Sequence, residues 1–107
     1  MPLTRAFKDT VASRIERDPA YRQALLAEAA QAMLGGDVDT GKALLRDYVH
    51  GTIGFQALGS ATGASPKSLM RMLGPRGNPQ ARNLFAVLRE LQASTGSQLE
   101  VRPAGER

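Results

Sequence analysis

The sequence predicts an all-α fold of five to six helices packed as one compact domain. Three observations lead there. Apolar residues recur at intervals of three and four through most of the chain, capping and turn residues separate those runs, and only one short segment alternates with a period of two. At 107 residues the chain has the length of one domain over 1–107. Its expected parts are N-terminal helices in 1–50, a central unit in 51–95, and a short terminal segment in 96–107.

The first helix is expected from Leu3 to Glu16, with Phe7, Val11 and Ile15 at four-residue spacing on one face. "RDPAY" restarts the chain. Asp18 can accept from unpaired backbone N–H groups, and Pro19 suits a first helical position, where its missing donor costs nothing. The second helix runs to Leu34 with Tyr21, Leu25, Ala29 and Met33 on one stripe, and "GGD" ends it. Gly35 or Gly36 supplies a left-handed turn, and Asp37 caps the third helix, Val38 to His50, which buries Val38, Leu45, Tyr48 and Val49.

"GFQALGSATGASPKSLMRMLG", Gly54 to Gly74, reads as two short helices broken at Gly63, whose lack of a side chain permits positive φ. The first presents Phe55, Leu58 and Thr62. Ser65 caps the second and Pro66 begins it. Leu69, Met72 and Leu73 share its inward face, while Ala64, Lys67, Ser68 and Arg71 follow i, i+3, i+4, i+7 on the other. That outer face is small, polar and basic, as a helix entering a DNA major groove requires: a hydroxyl and an arginine for base edges, a lysine for phosphate or guanine. The arrangement is a helix-turn-helix. A close crossing of its helices accounts for Gly59, where patterns of this type often show alanine. After the turn-rich "GPRGNP", Asn78 is placed to cap a last helix with Pro79 at its first position. That helix runs to Thr95 with Ala81, Leu84, Phe85, Leu88 and Leu91 on one stripe, and Gly96 stops it. In "SQLEVRP" Leu99 and Val101 alternate with polar residues, which allows one short C-terminal β-strand. A lone strand needs a partner, so pairing with a second subunit or another protein is expected.

Charge points the same way. Residues 1–50 carry seven basic and seven acidic side chains. Residues 51–92 carry Lys67, Arg71, Arg76, Arg82 and Arg89 against Glu90 alone, which is the whole of the +4 net charge. A local basic excess is the footprint of a phosphate-binding surface, with Arg76 and Arg82 as expected phosphate contacts. All five aromatic residues, Phe7, Tyr21, Tyr48, Phe55 and Phe85, fall on expected core stripes. None is left to stack on unpaired bases, so duplex DNA is the expected ligand.

Other chemistries find little footing. The chain has no cysteine, which excludes disulfides, thiolate zinc and thiol nucleophiles and fits a cytoplasmic setting. There is no apolar run of spanning length, and "MPLTRAFKDT" has no apolar signal core, so no membrane association is expected. His50 is the only histidine and has only Asp47 near it, so it reads as structural. Asp37 and Asp39 lack the later glutamate of a calcium loop. Gly54 to Gly59 lacks the Lys-Ser/Thr of a phosphate loop, and no Ser-His-acid grouping is present. No enzyme, catalytic residue, cofactor or metal is expected.

From Phe7 to Pro103, and most tellingly in "ALLRDYVHGTIGFQALGSATG", "SPKSLMRMLGPRGNP" and the terminal "LEV", the chain resembles the addiction-module antidote proteins. These are small Xre/Cro-type (lambda-repressor-like) helix-turn-helix antitoxins encoded beside a RelE/ParE-like toxin. The resemblance implies an antitoxin of a type II toxin–antitoxin system that neutralises its toxin and represses its own operon, usually as a homodimer. It further implies that the helix matching Ser65 to Leu73 reads the operator, and that the loop matching Gly74 to Pro79, with Arg76 and Asn78, lies near DNA backbone. The DNA-binding set is therefore Ser65, Lys67, Ser68, Arg71, Arg76, Asn78 and Arg82. The balanced half 1–50 is the expected toxin-facing part, through Arg14, Glu16, Arg17, Arg22 and Glu28. The last helix and "QLEVR" are the expected dimer interface. Two alternatives share the fold: a stand-alone prophage-type transcriptional regulator without a toxin, and a protein-interaction module whose Lys67/Arg71 face grips an acidic partner.

Overall fold

The computed structural model describes residues 2–105, with side chains from Thr10 onward. All regular structure among these residues is helical: α1 (Pro2–Arg17), α2 (Pro19–Leu34), α3 (Val38–Gly51), α4 (Gly54–Thr62), α5 (Pro66–Met72) and α6 (Ala81–Thr95). The corners form where capping chemistry requires them. Asp18 accepts from the Tyr21 N–H at 3.1 Å, and Pro19 opens α2. Arg22 reaches back across this corner and donates through Nη1 to the carbonyls of Ile15 (2.9 Å) and Glu16 (3.2 Å). A guanidinium there satisfies orphan carbonyls at the negative end of α1. At the next corner Gly36 has φ +91° and Asp37 accepts from the Thr40 N–H at 3.2 Å. Hydrogen bonding to Thr40 holds the Asp37 carboxyl below its ordinary range.

Helix α3 is the hub, packing on α1, α2 and α4, while α4 in turn packs on α5 and α6. Ile15, Leu26, Leu45, Leu58, Leu73 and Leu91 are fully buried in one cluster fed from both halves of the chain. Each such side chain contributes about 1.5–3 kcal/mol relative to exposure. Tyr48 is also fully buried, and its hydroxyl lies 2.7 Å from Thr95 Oγ1. Thr95 gives its own proton to the Leu91 carbonyl, so Tyr48 is the donor and ties α3 to the end of α6.

Several details depart from the sequence reading. Phe85 is 65% exposed, and Val87 at 1% takes the core place instead. The apolar arc of α6 is centred between Leu84, Leu88, Leu91 and Val87, which leaves Phe85 at its outer edge. Val38 opens α3 at a corner and is 41% exposed rather than buried. Asn78 does not cap α6; the helix begins two residues later, where the Gln80 carbonyl accepts from the Leu84 N–H at 3.0 Å, and Gln80 occupies the capping place without a side-chain hydrogen bond. Among the described residues there is no strand: 97–103 runs without ladder partners, held by the Leu99 N–H donating to Gln92 Oε1 at 2.8 Å. Phe7 lies outside the described side chains.

Candidate nucleic-acid interface

Helices α4 and α5 meet at a turn built by three residues. Gly63 has φ +80°, and its N–H donates to the Gly59 carbonyl at 2.8 Å, closing α4. A Cβ on Gly59 would lie 2.6 Å from the Ala64 carbonyl oxygen, so the chain passes too close for any side chain there. Ser65 caps α5 by accepting from the Ser68 N–H at 3.0 Å and donates its own proton to Ser68 Oγ at 2.9 Å. With Ser65 engaged in the cap, the proton of the Ser68 hydroxyl is the one available to an outside acceptor. Leu69 and Leu73 are buried, and this fixes the rotation of α5. Lys67, Ser68 and Arg71 consequently project into solvent. A helix of 10–12 Å diameter carrying such a face fits a groove about 12 Å wide.

After α5 the chain folds back on itself. The Gly74 N–H donates to the Arg71 carbonyl at 3.1 Å, and the Gly77 N–H to the Gly74 carbonyl at 3.0 Å. Gly77 packs so tightly on the carbonyls of Arg71 and Met72 that a Cβ could not be accommodated. Two cations of α3, which the overall charge balance of residues 1–50 conceals, reach this loop. Lys42 Nζ donates to the Gly77 carbonyl at 2.6 Å, and Arg46 donates to the Leu73 carbonyl at 2.5 Å. In the sequence their only signal is a lysine on an otherwise apolar helical face.

A cleft between α5, this loop and the start of α6 brings together Ser68, Arg71, Arg76 and Asn78, with Asn83 added from α6. Ser65, Lys67 and Arg82 are exposed but do not line it. No acidic residue occurs between positions 51 and 89, so nothing local neutralises these cations. Among the described residues the side chains of Lys67, Arg71, Arg76 and Arg82 have no ion-pair or hydrogen-bond partner. Cations held on a concave surface without counter-charge attract a polyanion.

The N-terminal half presents a different picture. Arg14 lies 4.3 Å over the Tyr21 ring and 3.8 Å from Asp18, and Arg22 is engaged with α1 carbonyls. Two of the five residues expected to face a toxin thus hold the α1–α2 corner. Arg17 also bonds back to its own helix at Ser13, and Glu16 and Glu28 are exposed. Among the described residues no group of acidic and histidine side chains could hold a metal ion, and no helix is long and apolar enough to cross a membrane. Compared with known families, curated proteins and solved structures, the chain matches none.

Proposed function

We infer that this protein binds double-stranded operator DNA through α5, acting as a cytoplasmic transcriptional repressor. The observation that carries the reading is the outward face of α5. Lys67, Ser68 and Arg71 are presented by a helix whose opposite side is locked in the core, next to a cleft with Arg76, Asn78 and Asn83 and no nearby acid. Arg71 is the base-reading side chain, Ser68 a hydroxyl donor beside it, and Arg76 and Arg82 contact phosphate. Base edges carry the sequence information and phosphates fix the position.

Two-fold pairing of subunits extends this reading, because one helix-turn-helix covers too little DNA for tight recognition. Among the described residues there are five large exposed hydrophobics, and four of them (Leu34, Val38, Phe85 and Val101) line a single groove between the α2–α3 corner, α6 and the extended tail. This supports the homodimer interface expected at the last helix and "QLEVR". The antitoxin role, with a RelE/ParE-like toxin as partner, rests on the family resemblance. A second reading, the stand-alone regulator without a toxin, is favoured by one structural feature. Ile15, Leu26 and Leu45 share a core with Leu58, Leu73 and Leu91, so the N-terminal helices are needed to complete the DNA-binding unit.

The test is a mobility-shift titration on the DNA immediately upstream of the protein's own reading frame. Arg71→Ala should weaken binding there by about 1–3 kcal/mol, and binding to random duplex by less. Unchanged binding for both Arg71→Ala and Lys67→Ala would remove this face as the reader. Co-expression with the adjacent gene separates the antitoxin from the stand-alone regulator.

A further inference from the structure

Among the described residues Lys42 is the one charged side chain that is buried, at 2% exposure. Burying an ammonium is costly unless it is well paired, and an apolar side chain of similar length would serve packing at least as well. What the ammonium does here is bind one particular carbonyl. Its Nζ lies 2.6 Å from the Gly77 oxygen, 35 positions along the chain, and 3.4 Å from the exposed Asp39 carboxylate. One helical turn further along α3, Arg46 takes the Leu73 carbonyl at the end of α5. From the other side, the Gly77 backbone rests on the Arg71 and Met72 carbonyls. The Leu73–Gly77 segment is therefore clasped between the end of α5 and two cations of α3. Arg76 immediately precedes the clasped glycine and Asn78 immediately follows it.

We propose that Lys42 and Arg46 are positioning residues for DNA-backbone recognition: they pin the Leu73–Gly77 loop to α3 and so fix where Arg76 and Asn78 meet phosphate. This rests on the duplex-binding reading above and adds to it a role for α3, which does not face the ligand. A loop without these pins would have to be ordered at the moment of binding, and ordering opposes affinity. Lys42 holds the far end of the loop at Gly77, whereas Arg71 sits on α5 itself, held by the buried Leu69 and Leu73, so base discrimination should depend little on Lys42.

The experiment uses the full chain and a fluorescent random-sequence 20-base-pair duplex, with anisotropy titrations over a range of salt concentrations. Lys42→Met and Arg46→Met are compared with Arg76→Ala, and circular dichroism and thermal melts confirm folding. The wild type should show a log–log salt slope that falls by about 0.9 in Arg76→Ala, the loss of one phosphate contact. Lys42→Met should reproduce most of that fall. In the Arg76→Ala background it should then leave the slope nearly unchanged, because Asn78, the other contact the loop positions, is uncharged and releases no counterion. Hydrogen exchange at the Gly77 amide, read without DNA, should be at least about tenfold faster in Lys42→Met. Should Lys42→Met fail to fold, the milder Arg46→Met carries the same slope and coupling test. Wild-type binding with slopes unmoved by either variant, or with effects additive to Arg76→Ala, would overturn the positioning role alone. A wild type that binds no duplex would overturn it together with the DNA reading, and the wild-type titration shows this before any variant is compared.

Discussion

Gly59→Ala sets two effects of opposite sign against each other. Alanine in a helix interior is worth about 1 kcal/mol over glycine. The new Cβ, however, would stand 2.6 Å from the Ala64 carbonyl oxygen. An ordinary carbon–oxygen approach begins near 3.3 Å, so the turn must retreat by about 0.7 Å. The obstructing atom is backbone, and Gly63, Ser65 and Pro66 hold that backbone by a left-handed φ, a cap and a ring. Forced shifts of this kind cost about 1–3 kcal/mol, so the net change should be a loss of about 0–2 kcal/mol despite the better helix former. For a chain of this size a thermal melt should show a midpoint lower by as much as about 10 °C. The displaced segment is the start of α5, so affinity for specific DNA should fall in the same variant. A higher midpoint with unchanged DNA affinity would show that the α4–α5 crossing has room for a methyl group and that the close approach does not position the reading helix.

Three further outcomes are expected. Arg22→Ala removes two charge-assisted bonds to α1 carbonyls and should cost about 1–3 kcal/mol in urea denaturation, whereas Arg17→Ala should stay within about 0.5 kcal/mol; equal effects would mean the corner is not held by Arg22. Phe85→Ser should lower the dimer fraction in sedimentation while leaving monomer folding nearly unchanged, since that ring is 65% exposed; an unaltered dimer fraction places the interface elsewhere. Asp37 has a folded-state pKa depressed by its bonds to Thr40, so its carboxylate contributes stability above about pH 4 that is lost as the pH falls through the lowered value. Asn at the same cap does not titrate, so the stability gap between wild type and Asp37→Asn should narrow on acidification; a gap constant with pH would show that the cap is not linked to protonation.

Much of this fold is local chemistry, which is why the sequence reveals it. Asp18, Asp37 and Ser65 each cap the helix that follows, and Gly63 and Gly96 adopt the left-handed φ their positions imply. These features depend on residues within one turn of each other. The outward face of α5 is legible for the same reason: Leu69 and Leu73 determine its rotation, so Lys67, Ser68 and Arg71 face outward. What escaped depends on partners distant in sequence. Periodicity located an apolar arc on α6 but not its centre, so Phe85 was placed in the core and Val87 left out. Lys42 and Arg46 vanish into the balanced charge of residues 1–50, because their partners are carbonyls 35 and 27 positions away. Arg14 and Arg22 looked spare until the α1–α2 corner was in view. In "SQLEVRP", alternation indicated an extended chain but not the partner that a strand requires.

Duplex DNA is expected to meet this protein at α5 and the loop that follows. The most direct measurement is a two-dimensional amide-resonance titration of the labelled protein with a 20-base-pair duplex at low salt. The largest shifts should fall between Ser65 and Asn83, at Ser68, Arg71 and Gly77 above all, with α1 and α2 nearly silent, and the shifts should fade as salt rises. An absence of shifts at low salt, or shifts concentrated on α1 and α2, would contradict this expectation.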